Sequence, residues 1–419
     1  MKIPNFILVD NVNFFILLII QFFILLMFII SIFNNRNFLL FNSFFCDKIS
    51  TLINLLNTII IFSFFIININ VRNYVLLVSL YLIIILIFYS SFLIQIYVFF
   101  ELSLIPIFLI ILNEGKQFER LKAGLYMFFF TLFSSLPLLI AILSLINSLS
   151  NFNENLSRIN SWIYLVMYIA FIVKLPVFFI HIWLPKAHVE APVSGSMILA
   201  GLILKLGGYG ILKILYYTIK LIKRINIFFI SIFSIGSILA SLYCLFQSDL
   251  KILIAVSSVR HMTLFFYCLC TLLNESFTGG LLIIICHGIL SPLMFYYANV
   301  YYTRTGRRRI YFSKSYFSYH LPIIIFIIYI INFCVPPSLN FFREILISIA
   351  LVSWSNLILI LIYINIIVRT LYSLYVFFFS SNHTGIIFRR QSLNIREWEI
   401  FNFLTPFLFF LPLLINFSN

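Results

Sequence analysis

The sequence predicts an all-α membrane protein that crosses the bilayer many times. Of its 419 residues, 63% are hydrophobic and 9% are charged, and the mean hydropathy is +1.13. Soluble domains carry about 25% charged residues, so a water-soluble core could not absorb this much apolar surface. Apolar runs of about 20 residues, the length that spans a bilayer, recur along the whole chain. We therefore predict one membrane domain over residues 1–419.

The apolar runs predict about thirteen transmembrane helices, taken in chain order. The first seven lie near residues 13–33, 50–68, 74–91, 93–112, 121–147, 161–181 and 193–219. The other six lie near residues 225–246, 251–273, 277–302, 319–354, 356–379 and 401–417. Because proline removes a backbone N–H, we expect the helix at 319–354 to be broken at Pro336 and Pro337.

The net charge of +15 reflects membrane orientation rather than binding to nucleic acid. If successive loops alternate between the two sides, one side collects fifteen Lys and Arg residues and the other collects seven. The positive-inside rule then predicts an N-terminus on the inside. The densest cluster, RTGRRR at 304–309, is interpreted as an orientation signal, and binding of phospholipid headgroups is the alternative.

Sequence motifs for cofactors, metals and import are not found. The six cysteines, Cys46, Cys244, Cys268, Cys270, Cys286 and Cys334, show no CxxC pairing, and small buried hydrophobes are their expected role. We find no phosphate-binding or dinucleotide-binding glycine motif, so any redox cofactor is expected in other chains. The N-terminus lacks the Arg-rich, Ser-rich stretch of a mitochondrial transit peptide. The 52 phenylalanines suit an AT-rich genome, as in an organelle that makes the protein on site.

Two acidic residues, Glu101 and Glu344, lie at membrane depth, whereas the other ten lie near span ends or in loops. Glu101 is about 12 Å into its helix, and Lys174 lies at a similar depth in its own span. Pairing these two residues would lower the cost of burying both charges. A purely structural ion pair is the alternative. Glu344 follows Pro337 in the broken helix, and a charge near a helix end is its alternative interpretation.

Two lysines inside apolar helices, Lys174 and Lys205, are the strongest functional signal. A lysine at the bilayer centre costs roughly 2.5 to 3.5 kcal/mol, so it indicates a functional ion site. Lys205 has no acid in its helix, and an unpaired buried lysine holds its proton weakly. This suits a residue that must accept and release a proton, and snorkelling to an interface is the alternative.

Four histidines could extend a proton path from these lysines. His181 lies two helical turns after Lys174 and its neighbour Pro176, with His188 in the following loop, so we expect a path toward the inside. His287 lies in the middle of its span beside Ser291 and Pro292, and His261 could bridge a chain of waters. For His181 and His287, a satisfied structural imidazole is the alternative.

Five contiguous motifs carry a resemblance to a known family. They are RLKAGLYMFFFTLFSSLPLLIAIL, WLPKAHVEAP, LILKLGGYGILK, QSDLKILIAVSSVRHM and FTGGLLIIICHG. They resemble subunit 4 of the NADH dehydrogenase of mitochondrial respiratory complex I, a family of antiporter-like membrane subunits, over roughly residues 45–417. The WLPKAHVEAP form favours this family over the related subunits of sodium/proton antiporter complexes.

The resemblance implies the roles of the site residues and the internal repeats. It assigns the key positions to Glu101, Lys174, Lys205 and Glu344, and it assigns the polar axis to His181, His188, His261 and His287. It implies fourteen helices in two inverted repeats with broken helices, of which the first helix is expected to be missing here. The repeats would contain the lysine-bearing helix pair at 161–219 and the broken helix at 319–354.

The resemblance implies a proton-translocating subunit of the complex I membrane arm, in the mitochondrial inner membrane. Its partners would be other membrane-arm subunits, including neighbouring antiporter-like subunits. Glu101 would bias Lys174, which would exchange a proton with Lys205, and His287 would pass the proton to Glu344. A sodium/proton antiporter subunit and a non-transporting scaffold are the alternatives.

Three arginines do not follow the family pattern or have no assigned role. Arg260 and Arg343 replace small residues beside His261 and Glu344. As a neighbour in sequence, Arg343 is expected not to face Glu344. Arg369, in the middle of its span, has no partner that the sequence identifies.

Overall fold

Fifteen helices and one short hairpin make up the described part of this chain. A computed structural model describes residues 38–41, 44–66, 71–114, 119–148, 161–306, 308–310, 320–336, 338–355, 358–381 and 395–414. The hairpin pairs β1 (Phe38–Phe41) antiparallel with β2 (Phe44–Cys46). This hairpin was not predicted, but otherwise the described fold is helical, as predicted.

The helices follow the predicted order closely. The first eight helices are α1 (Lys48–Ile66), α2 (Val71–Tyr89), α3 (Leu93–Leu102), α4 (Leu104–Glu114), α5 (Arg120–Ser148), α6 (Ser161–Lys174), α7 (Trp183–Glu190) and α8 (Val193–Ile198). A π-helical turn (Leu199–Ile203) leads into α9 (Leu204–Leu245). The remaining helices are α10 (Leu250–Thr271), α11 (Asn274–Thr305), α12 (His320–Asn332), α13 (Leu339–Trp354), α14 (Ile358–Ser381) and α15 (Ile395–Leu414).

Seven helical stretches in the described residues are long and apolar enough to cross a membrane. They are Leu93–Asn113, Arg120–Ser144, Val193–Leu215, Ile227–Leu245, Leu250–Thr271, Asn274–Thr305 and Ile358–Phe379. Shorter apolar helices lie at Ile49–Ser63, Val75–Tyr89, Leu165–Lys174 and Ile323–Asn332. The span predicted at 13–33 lies outside the described residues. The chain is a multi-pass membrane protein, and the total of about thirteen spans stays a prediction.

Helix α9 contains two spans that run in opposite directions. Gly207 packs against Leu175, whereas Gly236 packs against Phe178. A straight helix would separate Gly207 from Gly236 by about 43 Å, yet residues 175 and 178 lie within about 11 Å of each other. The chain therefore folds back between Gly207 and Gly236, which agrees with the two predicted spans at 193–219 and 225–246.

Three predicted spans are interrupted in the structure, and each interruption lies close to an ionisable residue. Helix α3 ends one residue after Glu101, since Pro106 has no N–H to bond the carbonyl of Leu102. The span predicted at 161–181 stops at Lys174 because Pro176 interrupts it. The third interruption separates α12 from α13 before Glu344, where the break was predicted; Pro337 itself lies outside the described residues.

The central helices are buried and the outer helices present apolar side chains. Nearly all residues of Val193–Leu215, Leu250–Thr271 and Asn274–Thr305 are buried, whereas less than half of the Arg120–Ser144 stretch is. Large apolar side chains such as Phe133 and Ile140 are exposed on the outer surface of α5. An outer apolar surface of this kind suits contact with lipid or with other membrane subunits. These central stretches carry Lys205, Arg260, His261 and His287, all of which are buried.

Candidate functional site

The predicted pairing of Glu101 with Lys174 is present. The Lys174 ammonium is 1% exposed and lies 3.5 Å from the Oε1 atom of Glu101, whose side chain is 17% exposed. The ammonium also lies 3.4 Å from the carbonyl oxygen of Phe100 and 2.8 Å from the centre of its ring. Both residues are positioned by helix ends, since α3 stops just after Glu101 and α6 stops at Lys174. The pair therefore lies at helix ends that two prolines create.

Lys205 is buried without a carboxylate partner among the described residues. Its Nζ atom donates to the carbonyl oxygen of Ala200 and lies against Nδ1 of His287, both at 2.6 Å. Ala200 belongs to the π-helical turn, and such turns shift the backbone bonding pattern. Because an ammonium group has no acceptor, Nδ1 of His287 must accept when Lys205 is charged. The two side chains can therefore share one proton.

The two lysines lie on helices that approach closely. A Cβ atom added to Gly207, two residues from Lys205, would lie 3.1 Å from the carbonyl oxygen of Phe171 and 3.2 Å from the amide nitrogen of Leu175. Leu175 directly follows Lys174. No direct hydrogen bond joins Lys174 to Lys205 in the part of the chain that the structure describes. Glycine is needed at Gly207 because the backbones meet there.

His287 lies next to a second group of buried ionisable side chains, which belong to helices α10 and α13. The ring centres of His261 and His287 are 5.4 Å apart. Nη1 of Arg343 lies 3.2 Å from Nδ1 of His261, and Nη2 of Arg260 lies 2.8 Å from its Nε2. His261 is thus held between two guanidinium groups.

Glu344 is bound by two arginines. Both terminal nitrogens of Arg369 contact its carboxylate, with Nη2 2.7 Å from Oε2. Nη2 of Arg343 lies 3.5 Å from Oε1, so the expectation that Arg343 does not face its neighbour is wrong; its long side chain bends back. Sequence reasoning missed the role of Arg369. An arginine without a role and a glutamate without a predicted partner, each at membrane depth, were the signal that these two residues pair.

Two of the predicted histidines lie outside this row of contacts. His188 lies in helix α7, not in a loop as expected, and its ring stacks on Phe295 with centres 4.5 Å apart. Neither of its ring nitrogens has a hydrogen-bond partner among the described residues. His181 follows the break after Lys174 and stacks on Phe178. These contacts give His188 no direct link to the lysines.

A large cavity opens beside His181. Its volume is about 540 Å³, and its polar lining includes Glu119, Lys122, His181, Lys186 and Glu190. Lys122 and Lys186 belong to the lysine-rich side that the charge count places inside. Burial raises the pKa of the Glu190 carboxyl above its ordinary value, although the charge of Arg308 acts against this. A carboxyl with a raised pKa holds a proton more readily than an exposed one.

Metal ligands and disulfides are not found in the described ranges. No group of three or more His, Cys, Asp or Glu side chains lies close enough there to hold a metal ion. Five cysteines are free and buried, as predicted, namely Cys244, Cys268, Cys270, Cys286 and Cys334.

Comparison with known proteins gives a family for the chain. Residues 90–369 match the family described as the transmembrane part of NADH:quinone oxidoreductase and Mrp antiporters. The NADH-ubiquinone oxidoreductase chain 4 of Aedes aegypti is 42% identical over 320 residues, which cover 74% of this chain and 70% of that protein. The protein of the same name from Ceratitis capitata is 41% identical over 303 residues, covering 70% and 68%.

Two solved structures share the fold. A chain in the structure of respiratory complex I from Thermus thermophilus with bound NADH superposes with a TM-score of 0.79 at 22% identity, covering 90% of this chain and 84% of that one. A chain of the Mrp complex from Dietzia sp. superposes with a TM-score of 0.76 at 15% identity, covering 88% and 74%. At these identities, the likeness speaks for the fold alone.

Proposed function

This chain belongs to the NADH:quinone oxidoreductase/Mrp antiporter transmembrane family, and we propose that it moves protons in the membrane arm of NADH:ubiquinone oxidoreductase. It acts as an antiporter-like subunit of that enzyme, while the oxidation of NADH and the reduction of ubiquinone take place in other subunits. Its place is the mitochondrial inner membrane, where its partners are the other membrane-arm subunits, including neighbouring antiporter-like ones. Synthesis within the mitochondrion suits its composition of 52 phenylalanines.

One observation carries the proposal: ionisable side chains follow one another through the buried centre of the helices. Glu101 contacts Lys174, and Lys205 contacts His287. His287 lies beside His261, and Arg343 links His261 to Glu344. Charges at membrane depth are costly, so two such groups on closely packed helices support a path for ions rather than an accident of packing.

Lys205 and His287 supply the best geometry for a proton-transfer step. At 2.6 Å, the distance between Nζ and Nδ1 lies within the range over which a general acid and base exchange a proton. When Lys205 is charged, Nδ1 of His287 accepts the hydrogen bond. When the proton moves to His287, Lys205 becomes neutral and accepts in turn. The carbonyl oxygen of Ala200, 2.6 Å from Nζ, favours the charged form of Lys205 and so limits how far the proton moves.

The Glu101–Lys174 pair acts on this step from the neighbouring helix. A charge change on Lys174 is felt across the close contact at Gly207 because the interior screens charges weakly. When Lys174 is paired with Glu101, its charge is compensated and Lys205 experiences less repulsion. When the pair separates, Lys205 loses its proton more easily. The pair therefore controls the proton affinity of Lys205.

Uptake and release are assigned to opposite ends of the row. The cavity of about 540 Å³ beside His181 and Glu190 supports uptake from the inside, since it reaches the interrupted segment that begins after Lys174. Glu344, whose side chain is 21% exposed, supports release because it is the one acid at the far end of the row among the described residues. Each proton moved against 100 mV requires about 2.3 kcal/mol, so the energy must come from partner subunits.

Replacement of Lys205 by methionine tests the proposal. The enzyme complex carrying Lys205→Met is reconstituted into liposomes, and the protons pumped per NADH oxidised are measured with a pH-sensitive dye. We expect fewer protons per NADH. Lys213→Met, which removes a half-buried lysine paired with Asp47 at 2.6 Å, is the matched control and should pump normally.

The alternatives give different results in the same assay. If the assembled Lys205→Met complex pumps as many protons per NADH as the unmodified complex, the relay is wrong. If Lys205→Met prevents assembly while Lys213→Met does not, Lys205→Arg decides, since it keeps a charge that cannot be given up. If the Lys205→Arg complex pumps normally, the non-transporting scaffold is favoured over the proton path. A proton path is indifferent to replacing sodium by potassium, whereas a sodium/proton antiporter is not.

A further inference from the structure

The arginine cluster near Glu344 contains more positive charge than its surroundings balance. Arg260, Arg343 and Arg369 are each no more than 2% exposed, and all three lie within spans or directly after the break. A guanidinium group stays protonated inside proteins. Glu344 is the only acid that contacts any of them among the described residues. Three buried positive charges therefore face one negative charge.

Hydrogen bonding shows where the unbalanced charge lies. The two terminal nitrogens of Arg369 donate to the Glu344 carboxylate, the carbonyl oxygen of Phe333 and the sulfur of Cys334, although its Nε atom has no partner among the described residues. Arg260 and Arg343, in contrast, both point at His261. Nη2 of Arg260 lies 2.8 Å from Nε2 and 3.2 Å from Nδ1, and Nη1 of Arg343 lies 3.2 Å from Nδ1. A neutral imidazole has only one acceptor nitrogen, so it can accept from one of these arginines and not from both. Arg260 contacts no acid among the described residues, and Arg343 shares Glu344 with Arg369 at the longer distance of 3.5 Å, so charge compensation is weakest at Arg260 and Arg343.

A small cavity lies beside these two arginines. It has a volume of about 40 Å³ and lies between the second half of α9 and helices α10, α13 and α14. Its polar lining includes Ser237, Arg260, Tyr267, Arg343, Glu344 and Asn365. In the described part of the chain, the Nε atoms of Arg260 and Arg343 and the hydroxyl of Tyr267 have no hydrogen-bond partner, although all three are buried. Each of these three groups can donate a hydrogen bond.

We propose that this cavity, which we name the arginine cavity, binds a small monovalent anion such as chloride. Unpaired buried charges are costly, and an anion between two guanidinium groups would remove that cost. A cavity needs roughly 10 to 15 Å³ to hold one water molecule, so 40 Å³ suits a single halide ion and not a phospholipid headgroup. The neighbouring carboxylate of Glu344 is held by Arg369, which offsets its repulsion of the anion.

Anion binding is separate from proton transfer, so it can be measured without a pumping assay. Chloride binding to the purified, assembled complex is measured from the broadening of the ³⁵Cl nuclear magnetic resonance line. Arg260→Gln should remove a part of the broadening that the unmodified complex shows. The control Arg304→Gln removes a buried arginine that pairs with Glu397 at 2.5 Å, and it should retain the full broadening.

A milder variant keeps the test decisive if Arg260→Gln does not assemble. Tyr267→Phe removes only a hydroxyl group, and it should weaken chloride binding by about tenfold, the value of one hydrogen bond to a charged group. Broadening equal to that of the unmodified complex in Tyr267→Phe, and in Arg260→Gln where it assembles, would overturn the proposal. A carboxylate of a neighbouring subunit within hydrogen-bond distance of both arginines would overturn it too.

Discussion

The distance between Glu101 and Lys174 allows us to calculate how much attraction is lost when this ion pair is lengthened, and how much pumping should slow as a result. Shortening Glu101 to aspartate withdraws the carboxylate by about one carbon–carbon bond, roughly 1.5 Å. The charges then move from 3.5 Å to about 5 Å apart, which leaves them paired but more weakly. With an effective dielectric constant of about 20, the attraction falls from about 4.7 to about 3.3 kcal/mol. The loss of about 1.4 kcal/mol is a factor of ten in an equilibrium constant.

We therefore expect Glu101→Asp to slow the pumping that this subunit carries by about tenfold. The share of pumping carried by this subunit is the difference in protons pumped per NADH oxidised between the unmodified complex and the Lys205→Met complex, both measured in liposomes. Glu101→Gln, which removes the partner of a buried charge worth about 3 to 5 kcal/mol, should slow it further. The ranking tests charge distance rather than the presence of a side chain.

The matched control removes a similar ion pair that is more exposed to solvent. Asp47 pairs with Lys213 at 2.6 Å, but both side chains are about a quarter exposed, and such pairs are worth at most about 1 kcal/mol. Asp47→Asn should therefore change pumping by less than about fivefold. Equal effects of Asp47→Asn and Glu101→Asp, or normal pumping by Glu101→Gln, would refute the reasoning.

Two further predictions concern uptake and packing. Burial raises the pKa of the Glu190 carboxyl, and its protonated fraction falls as the pH rises through that pKa. Pumping should fall over the same pH range, by less than about tenfold. The Glu190→Gln variant should have a flatter pH profile. An unchanged profile in Glu190→Gln would exclude Glu190 from uptake. Gly207→Ala should destabilise the packing at its site by about 1 to 3 kcal/mol and slow pumping, because its Cβ atom would lie 3.1 Å from a backbone oxygen. Gly280→Ala, where the closest atom lies at 3.4 Å, should be tolerated, and thermal melting of the complex compares the two variants.

The order of the spans and the main buried charges could be read from the sequence. Apolar runs of bilayer length predicted the described spans, although the span predicted at 161–181 ends at Lys174, two residues before Pro176. The cost of a charge in lipid marked Glu101, Lys174, Lys205 and Glu344 without any coordinates. Equal depth also predicted the pairing of Glu101 with Lys174, which the structure contains.

The contacts of the histidines and arginines could not be read in the same way. Helix periodicity places a residue on a face, but it does not say which helix lies opposite that face. His188 was expected in a loop, but it lies in helix α7, where its ring stacks on Phe295. Arg343 was expected to face away from Glu344, but its long side chain reaches the carboxylate. A long side chain can reach partners several ångströms from its backbone, and the packing of the surrounding helices determines which partner it contacts.

The sequence by itself determined that this chain is a multi-pass membrane protein with four costly charges at membrane depth. Length, hydropathy and proline positions are properties of single segments, so no knowledge of neighbouring helices was needed. The tertiary structure alone decided that Lys205 meets His287 at 2.6 Å and that Arg369 binds Glu344. These partners lie on different helices, 82 and 25 residues apart along the chain. Their contacts depend on which helices pack together, and the pattern of any one helix does not contain that information.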